Sequence, residues 1–351
     1  MADGGVGFAG DWALMQRANL YSRVASRILW KLAEKSYKSE DDIYKTARAI
    51  AWPELFDVAC TIKVLVTAIG CKLRSLDFIA LKVKDAVCDA FRAKVDERPS
   101  VDTATPDMRI HAFLTERHIT LYLDTSGEAL FKRGYRQETG EAPLRENLAA
   151  GILGLSGWEP NENLLDPMCG SGTFLVEAAL IARNVAPGIA RDFAFEQFSR
   201  YEPEAFEALR AEAKAGVRRN TTGKIVGSDT DRGMLEAAAV NLAAAGVADM
   251  VTLELADVLD REAPMPTGVL VSNPPYGIRL DEQEQLAAIY PLLGHALKQR
   301  FAGWRAYLLT ADLRLAKLIR LSASKRTVLF NGSLECRLFE FKMVAGSNRK
   351  E

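Results

Sequence analysis

From Asn163 onward the chain alternates short apolar runs with helical segments, and this rhythm constrains the fold more than any other feature. Leu164-Leu165-Asp166 is a strand end, followed by helices over 172–183 and 203–218. A strand over 224–229, a helix over 231–245 and strands over 250–256 and 269–272 come next. A helix over 282–300, a strand over 304–310 and a helix over 312–321 follow. The chain closes with strands over 325–330 and 334–344, an antiparallel pair around Asn331-Gly332. Repeated strand–helix units require a mostly parallel sheet covered by helices on both faces. Such open sheets bind ligands outside the carboxyl ends of their strands.

The first part of the chain has a different pattern. Gly4 to Asp11 resembles a turn and strand end. Over 11–34, Leu14, Ala18, Tyr21, Ala25, Ile28 and Leu32 recur at three- and four-residue intervals and predict one long helix. A short helix over 39–50 and a helix over 76–94 flank a β-branched strand over 59–69, and alternation over 109–114 and 119–124 predicts a hairpin. The expected division is a remnant at 1–11, a small α+β domain at 12–126, a linker at 127–143 and the α/β domain at 144–346. Lys82 and Lys84 on the second of these helices, with Lys132, Arg133 and Arg136 beside Tyr135 in the linker, are candidate contacts to nucleic-acid phosphates; a solvated face and a polar linker are the plainer explanations.

Bulk properties restrict the function classes. The 351 residues are 48% hydrophobic and carry 45 basic against 46 acidic side chains, so overall charge lends no support to nucleic-acid binding; only a local patch would. The five cysteines form no C-x-x-C pair and the three histidines are scattered, which argues against a disulfide framework and a metal centre. No apolar run approaches a membrane span. The expectation is a soluble cytoplasmic protein.

Four strand tips carry chemistry, in order. After the first strand, LLDPMCGSGTF places Asp166 before a turn in which Gly170 and Gly172 permit close approach of a ligand to the backbone. There is no G-x-G-x-x-G, so a dinucleotide pyrophosphate is disfavoured, and the acid suits a ligand bearing an ammonium. After the second strand, GSDTD presents Asp229, able to accept both hydroxyls of a ribose, while Asp231 caps the next helix. After the third, Asp257 can accept from an adenine amine. After the fourth comes SNPPYGIR. Pro274 and Pro275 donate no backbone hydrogen bond, so this loop stays out of the sheet. Asn273 offers a side-chain carbonyl and Tyr276 a flat ring, which suits a planar group with an exocyclic amine. One such tip means little; four in succession are hard to obtain by chance.

This series resembles the class I S-adenosylmethionine-dependent methyltransferases that methylate amines, in which N-P-P-[YF] is the catalytic loop. DPMCGSGTFLVEAALIA, the APG at Ala186 to Gly188, GSDTD and SNPPYGIRL resemble more narrowly the ribosomal large-subunit guanine-N2 methyltransferases. GGVGFAGD, YSRVASRIL, LKVKDAVCDAFR, RPSVD from Arg98 and FKRGYR extend the resemblance over nearly the whole chain, with a THUMP-type RNA-binding domain at the front. The resemblance implies a Rossmann-like methyltransferase with an antiparallel C-terminal strand, using S-adenosylmethionine and acting on 23S ribosomal RNA or its assembly intermediate. It implies cofactor contacts from Asp166, Met168, Cys169, Gly170, Gly172, Thr173, Asp229, Asp257 and Asn273. Asn273, Pro274, Pro275 and Tyr276 would be catalytic; no metal or covalent nucleophile is required, and Cys169 is read as a packing residue. Arg279 joins the candidate RNA contacts, although Ile278 stands where the family commonly has an acid. Members have residues before GGV that complete a ferredoxin-like domain, so the chain is expected to lack the extreme N-terminal part; some carry a second methyltransferase domain, before which this chain stops. Adenine N6 in nucleic acid and a glutamine amide in protein fit NPPY equally. A non-catalytic RNA-binding assembly factor is the rival from another class, and a dehydrogenase is more distant.

Overall fold

The computed structural model describes residues 4–137, 144–219, 222–275 and 280–344. In chain order the helices and strands are α1 Trp12–Tyr21, β1 Leu29–Ser36, α2 Glu40–Arg48, β2 Ile62–Ala68, α3 Leu76–Val95, β3 Met108–Leu114 and β4 His118–Asp124. They continue as α4 Glu146–Leu155, β5 Leu164–Asp166, α5 Thr173–Ala182, α6 Pro203–Ala215, β6 Ile225–Asp229, α7 Arg232–Ala244, β7 Val251–Leu255 and β8 Gly268–Ser272. The last are α8 Leu280–Arg300, β9 Trp304–Thr310, α9 Leu315–Leu318, β10 Lys325–Asn331 and β11 Leu334–Lys342. The chain forms two compact units.

The first unit comprises Met1–Leu130 together with Gly188–Glu212. Its sheet has the order β1-β4-β3-β2, with β2 parallel to β3 and the other pairs antiparallel. Local chemistry explains its helices. Ser39 and Asp42 form a capping box on α2. The Ser75 side chain accepts from Phe78 N, and α3 ends at Asp96 in the left-handed region.

One expectation fails here. The single helix over 11–34 stops at Tyr21, where Ser22 turns extended, and Leu29–Ser36 is a strand. That strand pairs with β4 along its whole length, and the Arg27 guanidinium bonds to Asp124, 97 residues away in sequence. The apolar positions fit a helical period, but backbone pairing with a distant strand and burial against rings outweigh that local preference. Trp30 meets Trp12 edge-on at 5.8 Å and stacks on Phe198 at 6.4 Å between ring centroids.

The segment that lengthens the second half between α5 and β6 is thus part of the first unit's core. Gly188 N donates to Leu20 O at 3.0 Å and Ser199 N to Leu55 O at 2.9 Å. Phe195 and Phe206 are fully buried, their rings 4.9 Å apart.

The second unit has a seven-stranded sheet of order β10-β11-β9-β8-β5-β6-β7, in which only β11 runs against the rest. The expected Rossmann-like architecture with an antiparallel C-terminal strand is what forms. β8 is buried at every residue, as a central strand with helices on both faces must be. Chain order reverses between β5 and β8, which lie side by side. Their carboxyl ends define the switch point where such sheets bind ligands.

Candidate active site at the carboxyl edge of the sheet

Beyond their backbone pairing, the two central strands are joined by a side-chain hydrogen bond at their carboxyl ends. Ser272 Oγ donates to Asp166 Oδ1 at 2.8 Å, and Met168 N donates to the same oxygen at 3.3 Å. Asp166 is almost completely buried. Burial pushes its carboxyl up to about 7, against the lowering effect of those two donors; the nearby Asp229 carboxylate pushes the same way as burial. An acid in this position favours a cationic neighbour, which would restore its charge.

The turn that follows is held at several atoms. Cys169 N donates to Ser228 O and Gly172 N to Cys169 O, both at 2.9 Å. Gly170 N donates to Asp229 Oδ2 at 2.9 Å, while Asp229 Oδ1 accepts from Asp231 N at 3.0 Å. Asp229 is therefore oriented by the backbone, with further lone pairs on both oxygens for a diol. Asp231 caps α7 by accepting from Gly233 N and Met234 N. Gly170 and Gly172 have φ of +50° and +80°. A Cβ at Gly172 would lie 3.0 Å from Ala238 Cβ, whereas one at Gly170 would meet nothing within 4 Å. Gly172 lets the turn lie against α7, and Gly170 leaves room above it.

Met168 is half-buried and Thr173 buried at the start of α5. Burial pushes the Cys169 thiol well up, with Asp166 and Asp229 adding to the shift, so it remains a neutral packing group. Asp257 is exposed, and its Oδ1 accepts from Leu259 N at 2.8 Å. At the end of β8, Asn273 Oδ1 is buried with no hydrogen-bond partner among the described residues. A buried acceptor left unpaired costs about 1–3 kcal/mol, so an arriving donor would be favoured. Pro274 is buried and Pro275 exposed. Tyr276 and Arg279 lie outside the described residues.

The basic candidates are engaged within their own units. Arg133 is buried, and its Nε donates to Glu177 Oε1 at 3.3 Å. Arg136 reaches Glu146, Leu144 O and Thr173 Oγ1. Lys82 pairs with Asp41 at 3.3 Å and Lys84 with Asp85 at 2.5 Å; Lys132 is exposed. Sequence reasoning also passed over Ser272 and Asn241. Ser272 stands next to Asn273 in the motif. Asn241, buried on α7, has no sequence signal, since its role depends on what α7 packs against.

The parts fit a nucleoside bearing an amino-acid tail: an open glycine turn, two strand-tip carboxylates, a buried acid and an unpaired acceptor. With the strand order, they define a Rossmann-like S-adenosylmethionine-dependent methyltransferase. The comparisons agree. The RMKL-like methyltransferase domain model matches residues 133–340, a THUMP domain model residues 37–124 and an RlmL ferredoxin-like domain model residues 1–29. The chain belongs to the RMKL-like methyltransferase family, with a THUMP domain ahead of the catalytic part. It is 41% identical to the ribosomal RNA large subunit methyltransferase K/L of Aeromonas hydrophila, over 98% of this chain and 50% of that protein; it thus spans about half the relative's length. Among solved structures it is similar to SMU.472, crystallised with SAH, at 31% identity and a TM-score of 0.86 over 96% of this chain and 89% of that one. It is also similar to a predicted N6-adenine-specific DNA methylase of Listeria monocytogenes, at 29% identity and a TM-score of 0.84 over 95% and 87%.

Proposed function

We propose that the protein transfers a methyl group from S-adenosylmethionine to the exocyclic N2 amine of a guanosine in large-subunit ribosomal RNA. The observation that carries the amine reading is the buried Asn273 Oδ1 at the tip of β8, which has no hydrogen-bond partner among the described residues. The THUMP domain and the K/L relative support RNA as the substrate class.

An exocyclic amine is a weak nucleophile because its lone pair is delocalised into the ring. Asn273 Oδ1 and the Pro274 carbonyl would accept hydrogen bonds from its two N–H groups and turn the lone pair toward the donor; once the new N–C bond has formed, the nitrogen would lose one proton to solvent. Both acceptors gain strength as positive charge develops on nitrogen, so they stabilise the transition state more than the ground state. S-adenosylmethionine, when bound, supplies a sulfonium methyl whose transfer leaves a neutral thioether. The carboxylate tips of Asp229 and Asp257 would hold the nucleoside, and Asp166 would face the ammonium. Tyr276 would stack on the target base, which must be flipped out or unpaired to enter.

The test uses labelled S-adenosylmethionine and undermethylated ribosomal RNA digested to nucleosides. Label in N2-methylguanosine is expected. Label only in N6-methyladenosine favours the adenine reading suggested by the Listeria neighbour. None from a folded protein that binds cofactor favours a non-catalytic assembly factor.

A further inference from the structure

Lys132, Arg133 and Arg136 are candidate nucleic-acid contacts by sequence, with a polar linker as the plainer reading, yet the polar groups of Arg133, Tyr135 and Arg136 turn inward. We infer that the segment Phe131 to Gln137 is a strap that sets the cofactor turn, with Arg136 and Asn241 as positioning residues. Three sets of contacts carry this. First, the strap is anchored on α5: Arg133 Nε and Tyr135 OH both donate to Glu177 Oε1, at 3.3 and 3.1 Å, and Glu177 is fully buried. Second, Arg136 ties three pieces of backbone together. Its Nε donates to Glu146 Oε1 at 2.8 Å on α4; its Nη2 donates to Leu144 O at 2.7 Å and to Thr173 Oγ1 at 3.1 Å. Thr173 is the first residue of α5, directly after the Gly170–Gly172 turn. Third, Gln137 N donates to Asn241 Oδ1 at 2.9 Å, and Asn241 Nδ2 donates to Ser171 O at 2.9 Å. Ser171 lies between the two glycines of the turn.

The turn is thus gripped from outside at Ser171 and Thr173, two residues on which cofactor geometry depends. Two of its residues have positive φ, so its backbone has few side-chain restraints of its own. A guanidinium fork is suited to bridging three acceptors, which an ammonium cannot do with the same geometry. Arg136 acts through Thr173, and Asn241 through Ser171.

This inference rests on the cofactor reading of the turn, and the test separates the two. Binding of S-adenosylhomocysteine to the full chain is measured by calorimetry for the wild type, Arg136→Lys and Asn241→Ala, with thermal melts and hydrogen exchange alongside. If the wild type fails to bind, the cofactor reading fails. Given wild-type binding, both variants are expected to raise Kd by about tenfold or more, the scale of one or two lost oriented hydrogen bonds. Exchange should quicken over 166–175 and stay unchanged over 62–124. Arg136→Lys keeps the charge opposite Glu146, and Asn241→Ala disturbs no ion pair, so if one variant fails to fold the other still decides. Unchanged Kd with lowered melting temperature would reduce the strap to a structural role. Unchanged Kd with weakened binding of ribosomal RNA would return the segment to a nucleic-acid contact. Either result overturns the inference.

Discussion

At the scale of single residues, Asp166 and Asn273, two of the proposed site groups, differ in how they respond to pH. Asp166 is an acid made reluctant to ionise by burial, with its folded value near 7 against a usual 3.8. The sign follows from linkage. Its contribution to stability is fully present below about 3.8 and is lost as pH rises through about 7, where the folded state must hold a buried charge. Thermal melts of the ligand-free protein should therefore fall between pH 4 and 7 by an amount that Asp166→Asn removes. At about 1.36 kcal/mol per unit the effect is at most roughly 4 kcal/mol. The same acid should make S-adenosylhomocysteine binding weaken as pH drops below 7 in the wild type, and Asp166→Asn should flatten that profile. Asn273 has no such titration. Asn273→Ala should reduce methyl transfer at least a hundredfold, a scale comparable to losing one preorganised hydrogen-bonding group, and by far more than it raises the cofactor Kd. Equal loss of both would remove its proposed role.

At the scale of elements, the two glycines of the proposed cofactor turn separate geometry from ligand space. Gly172→Ala meets both a φ of +80° and a contact of 3.0 Å with Ala238. It should cost about 1–3 kcal/mol and lower the melting temperature. Gly170→Ala meets only the dihedral penalty, so it should melt higher than Gly172→Ala yet lose more cofactor affinity; calorimetry and melts on the same pair check this. Element by element, the second unit was legible because β5, β6, β8 and β9 are short, apolar and each followed by a helix, that after β6 with its own signal in the Asp231 cap. β9 spans Trp304–Thr310, as its apolar run predicts. The first unit was less so. Leu29–Ser36 has a helical period of apolar residues but becomes an edge strand because β4 supplies its hydrogen bonds.

At the scale of the whole molecule, the covalent order of the chain and its packing order differ. Residues 188–212 follow α5 in sequence yet belong to the unit built from 1–130. A truncation that removes residues before 131 would leave Phe195 without the Trp12 ring and the Thr125 carbonyl, and Phe198 without Trp12, Trp30 and its bridge to Phe56. Such a fragment should aggregate or expose a dye-binding apolar surface. A fragment in which 188–212 is also replaced by a short flexible linker should stay soluble and retain cofactor binding; size exclusion and calorimetry distinguish the outcomes. The proposed contribution of the THUMP domain to RNA binding is therefore better dissected with the second fragment than with the first.

The sequence by itself determined the strand–helix rhythm, the order of the strand-tip motifs and the residue types at each tip, because those signals are local. Asp166, Gly170, Asp229 and Asn273 could be named from spacing and chemistry alone. What only the tertiary structure decided are pairings between residues far apart in the chain. These include β1 against β4, the 188–212 segment in the first unit, the Ser272 bond to Asp166 and the inward turn of Arg133 and Arg136. A guanidinium in a polar linker looks solvated until a buried carboxylate is found to face it, and that carboxylate, Glu177, sits 44 residues from Arg133.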